Sequence, residues 1–196
     1  LNDPLFSLLL PAVVMGLWLS RIRLPWWYWS AFVILSGIGV RGILITYVDP
    51  AWWAASAVAA QDSRLHEPVL LRDGLRAGER WVNLIELIVR QFTLPGALLS
   101  VFGLARMARW YPSLGVVTMI GYGCYTAFGL AYFGADREIL LLPLFIIQTI
   151  WLTYAVHAFG TWISKSLQVQ PENAYRLAVI AYVALPLYLF FFSIGA

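Results

Sequence analysis

Long apolar runs constrain this chain more than any other feature of its sequence. The hydrocarbon core of a bilayer is about 30 Å thick, and a helix needs about 20 consecutive apolar residues to cross it. Hydrophobic residues make up 61% of the chain and charged residues 12%, whereas soluble domains have about 45–50% and about 25%. A buried core cannot absorb this excess, so the sequence predicts an integral membrane protein.

The spans are predicted to be helices, because lipid satisfies no backbone polar group and the runs lack the alternation of strands. We therefore expect an all-α fold, a polytopic transmembrane helix bundle that forms a single domain. Its six predicted spans are residues 5–20, 26–48, 81–105, 113–134, 139–163 and 174–194. The first is short for a bilayer, since it rises only about 24 Å as an α-helix.

One long connection, residues 49–80, separates the second and third spans. Its apolar first part, residues 51–60, is too short to cross and is typical of an interfacial or re-entrant helix. The remainder alternates acids and bases, which predicts a solvated loop whose charges pair among themselves: Asp62, Arg64, Glu67, Arg72, Asp73, Arg76, Glu79 and Arg80.

Basic residues in the short loops predict the orientation. Cytoplasmic loops of membrane proteins carry an excess of Lys and Arg. The first, third and fifth loops together carry five basic residues, which are Arg21, Arg23, Arg106, Arg109 and Lys165. The short loop on the opposite side carries only Arg137, between Asp136 and Glu138. We therefore expect a multi-pass topology with both termini on the non-cytoplasmic side.

The net charge of +3 does not indicate a nucleic-acid partner, because the basic residues are spread singly over loops. Cys124 is the only cysteine and lies inside an apolar run, where we expect it to pack as a small hydrophobic residue. The sequence shows neither a Cys/His cluster nor a phosphate-binding glycine loop. We predict no metal and no other cofactor.

Four ionisable residues stand out inside the predicted spans, where a charge at the centre of a helix costs about 2.5–3.5 kcal/mol. They are Arg41, Glu86, Arg90 and His157. Asp49 ends the second span, and Glu86 lies about one and a half turns inside the third from the same side. The two carboxyls are therefore expected at similar depth in the membrane.

Such a pair of carboxyls suits acid–base chemistry. An apolar pocket favours the protonated acid, which can donate a proton beside a second carboxylate. Gln148, Trp151, Tyr125 and Tyr132 can reach the same layer if their helices are neighbours, and aromatic walls stabilise a carbocation. Arg41 lies deeper and could pair with either acid.

Structural interpretations of the same residues stay open. Glu86 and Arg90 are four residues apart, a spacing that pairs them along one helix face. Asp49 and Pro50 can simply end the span and turn the chain. His157 is typical of a hydrogen bond between helices.

The order of residues between about Ile43 and Ser166 resembles the emopamil-binding and sigma-2-receptor-like membrane proteins, a family that includes sterol Δ8–Δ7 isomerases. The similar stretches are ITYVDP, HEP, NLIELIVRQFTLPG, GYGCYTAFGLAYFG and IIQTIW. In the last, Gln148 replaces the asparagine of the family's Asn-x-x-Trp pattern and Trp151 is retained.

The resemblance implies that Asp49 and Glu86 match the family's two acids, and that Gln148 and Trp151 line a sterol-sized cavity. Two positions depart from the isomerases. Ile45 stands where they have a histidine, and Val89 stands where they have a threonine. Both departures concern the sterol reaction more than membership of the broader group.

We therefore expect a membrane-embedded protein that binds a sterol- or isoprenoid-like lipid and acts as an acid–base isomerase or cyclase. Glu86 is the predicted proton donor and Asp49 its partner carboxylate. The predicted substrate-binding residues are Gln148, Trp151, Tyr125, Tyr132 and Arg41. Two alternatives stay open: a non-catalytic lipid-binding or transport protein, and a structural subunit or assembly factor, as a homo-oligomer or within a larger membrane complex.

Overall fold

The computed structural model describes residues 4–21, 25–47, 69–71, 73–133 and 137–168, and further single positions at 170, 172–173, 176, 179–180 and 183. Within this part of the chain lie six α-helices, one 3-10 helix and one pair of short strands. The fold is all-α in character, as the sequence predicts.

The chain begins with a 3-10 helix, Pro4–Leu9, which continues into α1, Leu10–Leu19. A proline lies in the first turn of α1, where its missing N–H leaves no hydrogen bond unmade. The 3-10 residues rise about 2.0 Å each against 1.5 Å in an α-helix. The short first span predicted at 5–20 is therefore a composite of two helix types.

Four helices are long and apolar enough to cross a membrane. They are α2 (Trp26–Tyr47), α3 (Gly78–Trp110), α4 (Pro112–Ala131) and α6 (Leu142–Leu167), with the short α5 (Arg137–Leu140) before the last. A set of this kind is typical of a multi-pass membrane protein. The predicted spans 26–48, 81–105, 113–134 and 139–163 each overlap one of these long helices. Two of them differ in extent, because α4 ends at Ala131 before a short strand and Leu141 separates α5 from α6. Most of 174–194 lies outside the described residues.

Large apolar side chains cover the exposed surface of these helices. No residue in the apolar window of α2 is buried, and Val33, Ile38 and Ile45 are each more than half exposed. Four exposed aromatic residues form the first turn of this helix: Trp26, Trp27, Tyr28 and Trp29. Aromatic belts of this type mark the level where a span leaves the hydrocarbon.

A kink divides α3 at Thr93, whose φ of 59° and ψ of 163° are not helical. The Thr93 hydroxyl accepts a hydrogen bond from the backbone N–H of Gly96 at 3.5 Å. This is the arrangement of an N-cap, and Pro95 lies in the first turn that follows it. The sequence Thr-Leu-Pro-Gly thus ends one helical segment, residues 78–92, and starts another, residues 94–110.

The chain forms two compact units. The first comprises Leu1–Glu86 and Val116–Ile147, and the second comprises Leu87–Gly115 and Gln148–Ala196. In the first unit, Leu5, Phe128 and Tyr132 form a buried apolar cluster. Four partly buried residues pack against this cluster, namely Leu8, Ile43, Leu70 and Leu140.

A short antiparallel pair of strands holds the end of α4. Strand β1 (Val69–Leu70) pairs with β2 (Tyr132–Phe133), and Leu70 lies opposite Tyr132. The N–H of Leu71 extends the pairing by donating to the carbonyl of Ala131 at 2.7 Å. The sequence did not predict these strands, because each has only two residues and no period can be read from it.

The second unit contains a close approach of two helices. A Cβ added to Gly103 in α3 would overlap the backbone carbonyl of Trp151 in α6, and it would also touch Ala155. Small residues at an interface let helix backbones approach in this way in membranes. In this part of α3, buried small residues recur at helical spacing at Gly96, Ser100 and Gly103.

Candidate functional site

Glu86, the predicted proton donor, lies on the exposed face of α3. Its neighbours Val82 and Ile85 are 63% and 57% exposed, and Arg90, one turn further on, is exposed as well. The buried face of the same segment carries Leu84 and Leu87 instead. The Glu86 side chain therefore lies on the outer surface of α3 and not in the buried core.

The other predicted charged residues lie apart from the core or outside the described chain. Asp49, the predicted partner carboxylate, lies outside the described residues. Arg41 is exposed on α2. The depth relation predicted for Asp49 and Glu86 therefore stays a prediction.

Tyr125 and Tyr132 are both buried in the first unit, with exposures of 2% and 0%. The Tyr125 hydroxyl donates a hydrogen bond to the backbone carbonyl of Leu5 at 3.3 Å. The Tyr132 ring stacks on Phe128, with centroids 5.2 Å apart and planes 18° apart. The two tyrosines thus join the N-terminal segment to α4 and β2.

Gln148 and Trp151 are both buried in the second unit. The Gln148 side-chain amide donates a hydrogen bond to Ser100 Oγ at 3.1 Å, and Ser100 Oγ donates to the carbonyl of Ala97 at 2.7 Å. An interhelical hydrogen bond of this kind stabilises membrane helices by about 0.6–2 kcal/mol. The structure thus brings Gln148 and Trp151 together on one face of α6, in a different unit from the tyrosines.

Ser100 was not among the predicted site residues. Its place in a helix contact can be read from the recurrence of small residues at spacings of four and three, namely Gly96, Ser100 and Gly103. That pattern indicates a close helix contact, and a polar residue within such a contact needs a hydrogen-bond partner.

Arg80 was predicted to lie in a solvated loop, and this prediction is wrong. The side chain is only 8% exposed and belongs to the first turns of α3. Its Nη2 donates to the carbonyl of Gly129 at 3.4 Å and to that of Tyr132. The last carbonyls of a helix have no partner within it, and Arg80 supplies one at the end of α4.

Arg137, at the start of α5, is a second partly buried cation in the same unit. Its Nε and Nη2 atoms are buried and have no hydrogen-bond partner within the described part of the chain. Burial lowers the pKa of the Arg137 guanidinium, and the neighbouring Glu138 carboxylate opposes that shift.

Among the described residues, no three His, Cys, Asp or Glu side chains group closely enough to hold a metal ion. The predicted site residues instead divide into an exposed acid on α3, two buried tyrosines in the first unit and a buried Gln–Trp pair in the second. Comparisons with family models, with curated proteins and with solved structures find no match for this chain.

Proposed function

We propose that this membrane protein binds a sterol- or isoprenoid-like lipid against the exposed face of α3, with Glu86 meeting the reactive or polar part of the ligand. One observation carries the proposal: an acidic side chain is exposed among apolar side chains on a helix that can span a membrane. An ionisable group in a span is costly, and such groups usually serve binding, transport or catalysis.

The position of Glu86 suits an amphipathic ligand. It lies eight residues after Gly78, or about 12 Å along the helix axis. That distance is less than half of the hydrocarbon thickness of about 30 Å. A lipid in the adjacent leaflet could therefore place a ring or an isoprenoid double bond beside the carboxyl without leaving the bilayer.

The chemistry that this position supports is isomerisation of an alkene. Glu86 would donate its proton to one alkene carbon and leave a carbocation at the next. The carbon on the other side of the cationic carbon would then lose a proton to a carboxylate, which we assign to Asp49. The double bond would thereby shift by one position. The reaction is redox-neutral and needs no cofactor. The assignment of Asp49 and Glu86 follows the short stretches ITYVDP and NLIELIVRQFTLPG, which resemble the emopamil-binding and sigma-2-receptor-like proteins.

A second candidate function is favoured by Arg90. Because Glu86 and Arg90 share one exposed helix face, they could instead meet the polar residues of a second membrane protein or of another copy of this chain. A third, binding of the lipid without turnover, is favoured by Ile45, which stands where the isomerases have a histidine.

The experiment combines lipid analysis with turnover. The full chain is purified in mild detergent, its co-purifying lipids are identified, and alkene isomerisation is measured for wild type, Glu86→Gln and Glu79→Gln. Glu79 is a matched control, since it is an exposed acid in the first turn of the same helix. General acid catalysis typically contributes about 10²–10⁴-fold, so Glu86→Gln should lower turnover by that range and keep the bound lipid.

The outcomes separate the candidates. Bound lipid with turnover that depends on Glu86 supports the isomerase, and bound lipid without turnover in wild type supports a binding or transport protein. A protein that co-purifies with no sterol or isoprenoid, and that forms a complex lost in Glu86→Gln, would contradict lipid binding and support the subunit.

A further inference from the structure

Two arginines of the first unit, Arg80 and Arg137, form what we call the arginine pair. Arg80 extends from the first turn of α3 and contacts the end of α4 and strand β2. Its guanidinium lies 5.8 Å from the ring centroid of Phe133, and Arg137 follows Phe133 by four residues. The two cations also repel each other electrostatically.

The hydrogen bonds of the pair are incomplete. Arg80 Nη2 is satisfied by the carbonyls of Gly129 and Tyr132. Arg80 Nε, Arg137 Nε and Arg137 Nη2 are buried and have no partner within the described ranges. Buried polar groups in proteins are nearly always hydrogen-bonded, and an unpaired buried donor is costly. Three such nitrogens on two arginines indicate an acceptor beyond those that the described ranges supply.

Two carboxylates act on the pair from the described chain. Asp73 attracts Arg80, and Glu138 attracts Arg137. They offset part of the positive charge, yet among the described residues the three nitrogens have no hydrogen-bond acceptor. A bound group that brings several acceptor oxygens would satisfy these donors and reduce the repulsion between the two guanidiniums.

The arginine pair lies where the spans end. Gly78 begins α3, Ala131 ends α4 and Leu142 begins α6. Trp81, next to Arg80, is 42% exposed and donates from Nε1 to the carbonyl of Leu75 at 2.9 Å. Trp is enriched at the level of the lipid headgroups, and a membrane crossed by these candidate spans would have its lipid phosphates near the pair.

We propose that the arginine pair binds a phosphate-type oxyanion, and that its place at the span ends favours the phosphate ester of an anionic lipid headgroup as the source. The planar fork of an Arg guanidinium matches the oxygens of a phosphate. This site is separate from Glu86 and does not rest on the proposed function.

The experiment uses the full chain reconstituted in nanodiscs of phosphatidylcholine, with and without phosphatidic acid. Lipid binding is measured by native mass spectrometry, and thermal stability is followed in the same samples. A parallel arm titrates inorganic phosphate into phosphatidylcholine nanodiscs. The two variants are Arg137→Gln, which removes the charge, and Arg137→Lys. The lysine keeps the charge but lacks the planar fork of the guanidinium. The control is Arg76→Gln, which removes an exposed arginine from the preceding turn.

The wild type should retain phosphatidic acid and melt at a higher temperature in its presence. Loss of one charge-assisted contact corresponds to roughly a 10- to 100-fold weaker affinity. We expect that loss in Arg137→Gln, a smaller loss in Arg137→Lys, and little change in Arg76→Gln. If inorganic phosphate raises the melting temperature as much as phosphatidic acid does, a free anion is the source and the oxyanion site still holds.

Two results would overturn the site. One is equal retention of phosphatidic acid by wild type and Arg137→Gln. The other concerns the wild type alone and so does not depend on whether a variant folds. Its melting temperature and bound lipid would respond neither to phosphatidic acid nor to inorganic phosphate.

Discussion

Arg80 donates a hydrogen bond from Nη2 to the backbone carbonyl of Tyr132 and so joins the start of α3 to the end of α4. The same nitrogen also reaches the carbonyl of Gly129. Strands β1 and β2 lie beside this contact, and Leu70 pairs with Tyr132. A single side chain thus supplies a hydrogen-bond donor to two backbone carbonyls at the end of a candidate span.

Arg80→Met should destabilise the first unit. The change keeps an apolar stem of similar length but leaves two carbonyls without their donor, at a cost of about 1–3 kcal/mol. Hydrogen exchange should quicken at the Leu71 amide, which bonds Ala131 in the adjoining pair. Arg76→Met, at an exposed position of the preceding turn, should stay within about 0.5 kcal/mol of wild type. Equal effects of the two changes would contradict a specific role for Arg80.

Gly103→Ala should be strongly destabilising in the second unit. The new Cβ would overlap the Trp151 carbonyl, and backbone cannot yield as a flexible side chain can. Overpacking of this kind costs about 1–3 kcal/mol or more. Gly123→Ala is the control, since nothing lies within 4 Å of its added Cβ and alanine is the better helix former by about 1 kcal/mol. Thermal unfolding in detergent should rank Gly123→Ala at or above wild type and Gly103→Ala well below it.

Thr93→Gly should stabilise the protein, although it removes a hydrogen bond. Thr93 has a φ of 59° and a ψ of 163°, a region that costs a non-glycine residue about 1–3 kcal/mol. Glycine adopts it freely and, as an N-cap, is only a few tenths of a kcal/mol worse than threonine. Thr93→Ala keeps the strain and loses the cap, so it should fall below wild type by about 1 kcal/mol. A melting temperature for Thr93→Gly below that of Thr93→Ala would contradict this explanation.

The long helices could be predicted because their signal is local. A run of apolar residues predicts a span whatever segments pack beside it, and α2 begins at Trp26, where the predicted span 26–48 starts. The first span differs because Pro4–Leu9 adopts the tighter 3-10 geometry. Run length and hydropathy do not distinguish the two helix types.

The residues that the sequence misplaced depend on distant partners. Arg80 stands in an alternation of acids and bases that is typical of a solvated loop, and only its contacts with the far end of α4 explain its burial. The candidate site divides in the same way. A spacing of three residues places Gln148 and Trp151 on one face of α6, whereas their burial and the exposure of Glu86 depend on which helix faces the other segments cover.

The orientation of the chain is tested by cysteine labelling. In a Cys124→Ala background, single cysteines replace Ser63 in the long connection and Ser113 after α3. The bias of Lys and Arg predicts that Ser63 is on the non-cytoplasmic side and Ser113 on the cytoplasmic side. A membrane-impermeant thiol reagent should therefore label Ser63→Cys from outside and Ser113→Cys only after permeabilisation. Labelling of both from one side would contradict this topology.

Photo-crosslinking tests the proposed lipid site on α3 most directly. The full chain in nanodiscs is irradiated with sterol and isoprenoid probes that carry a diazirine, and the adducts are located by mass spectrometry. If Glu86 meets the ligand, adducts that unlabelled lipid displaces should concentrate in residues 78–92. They should fall in Glu86→Leu and persist in Glu79→Gln. Adducts spread evenly over the exposed faces of α2, α3, α4 and α6, and unchanged by Glu86→Leu, would contradict the proposed function.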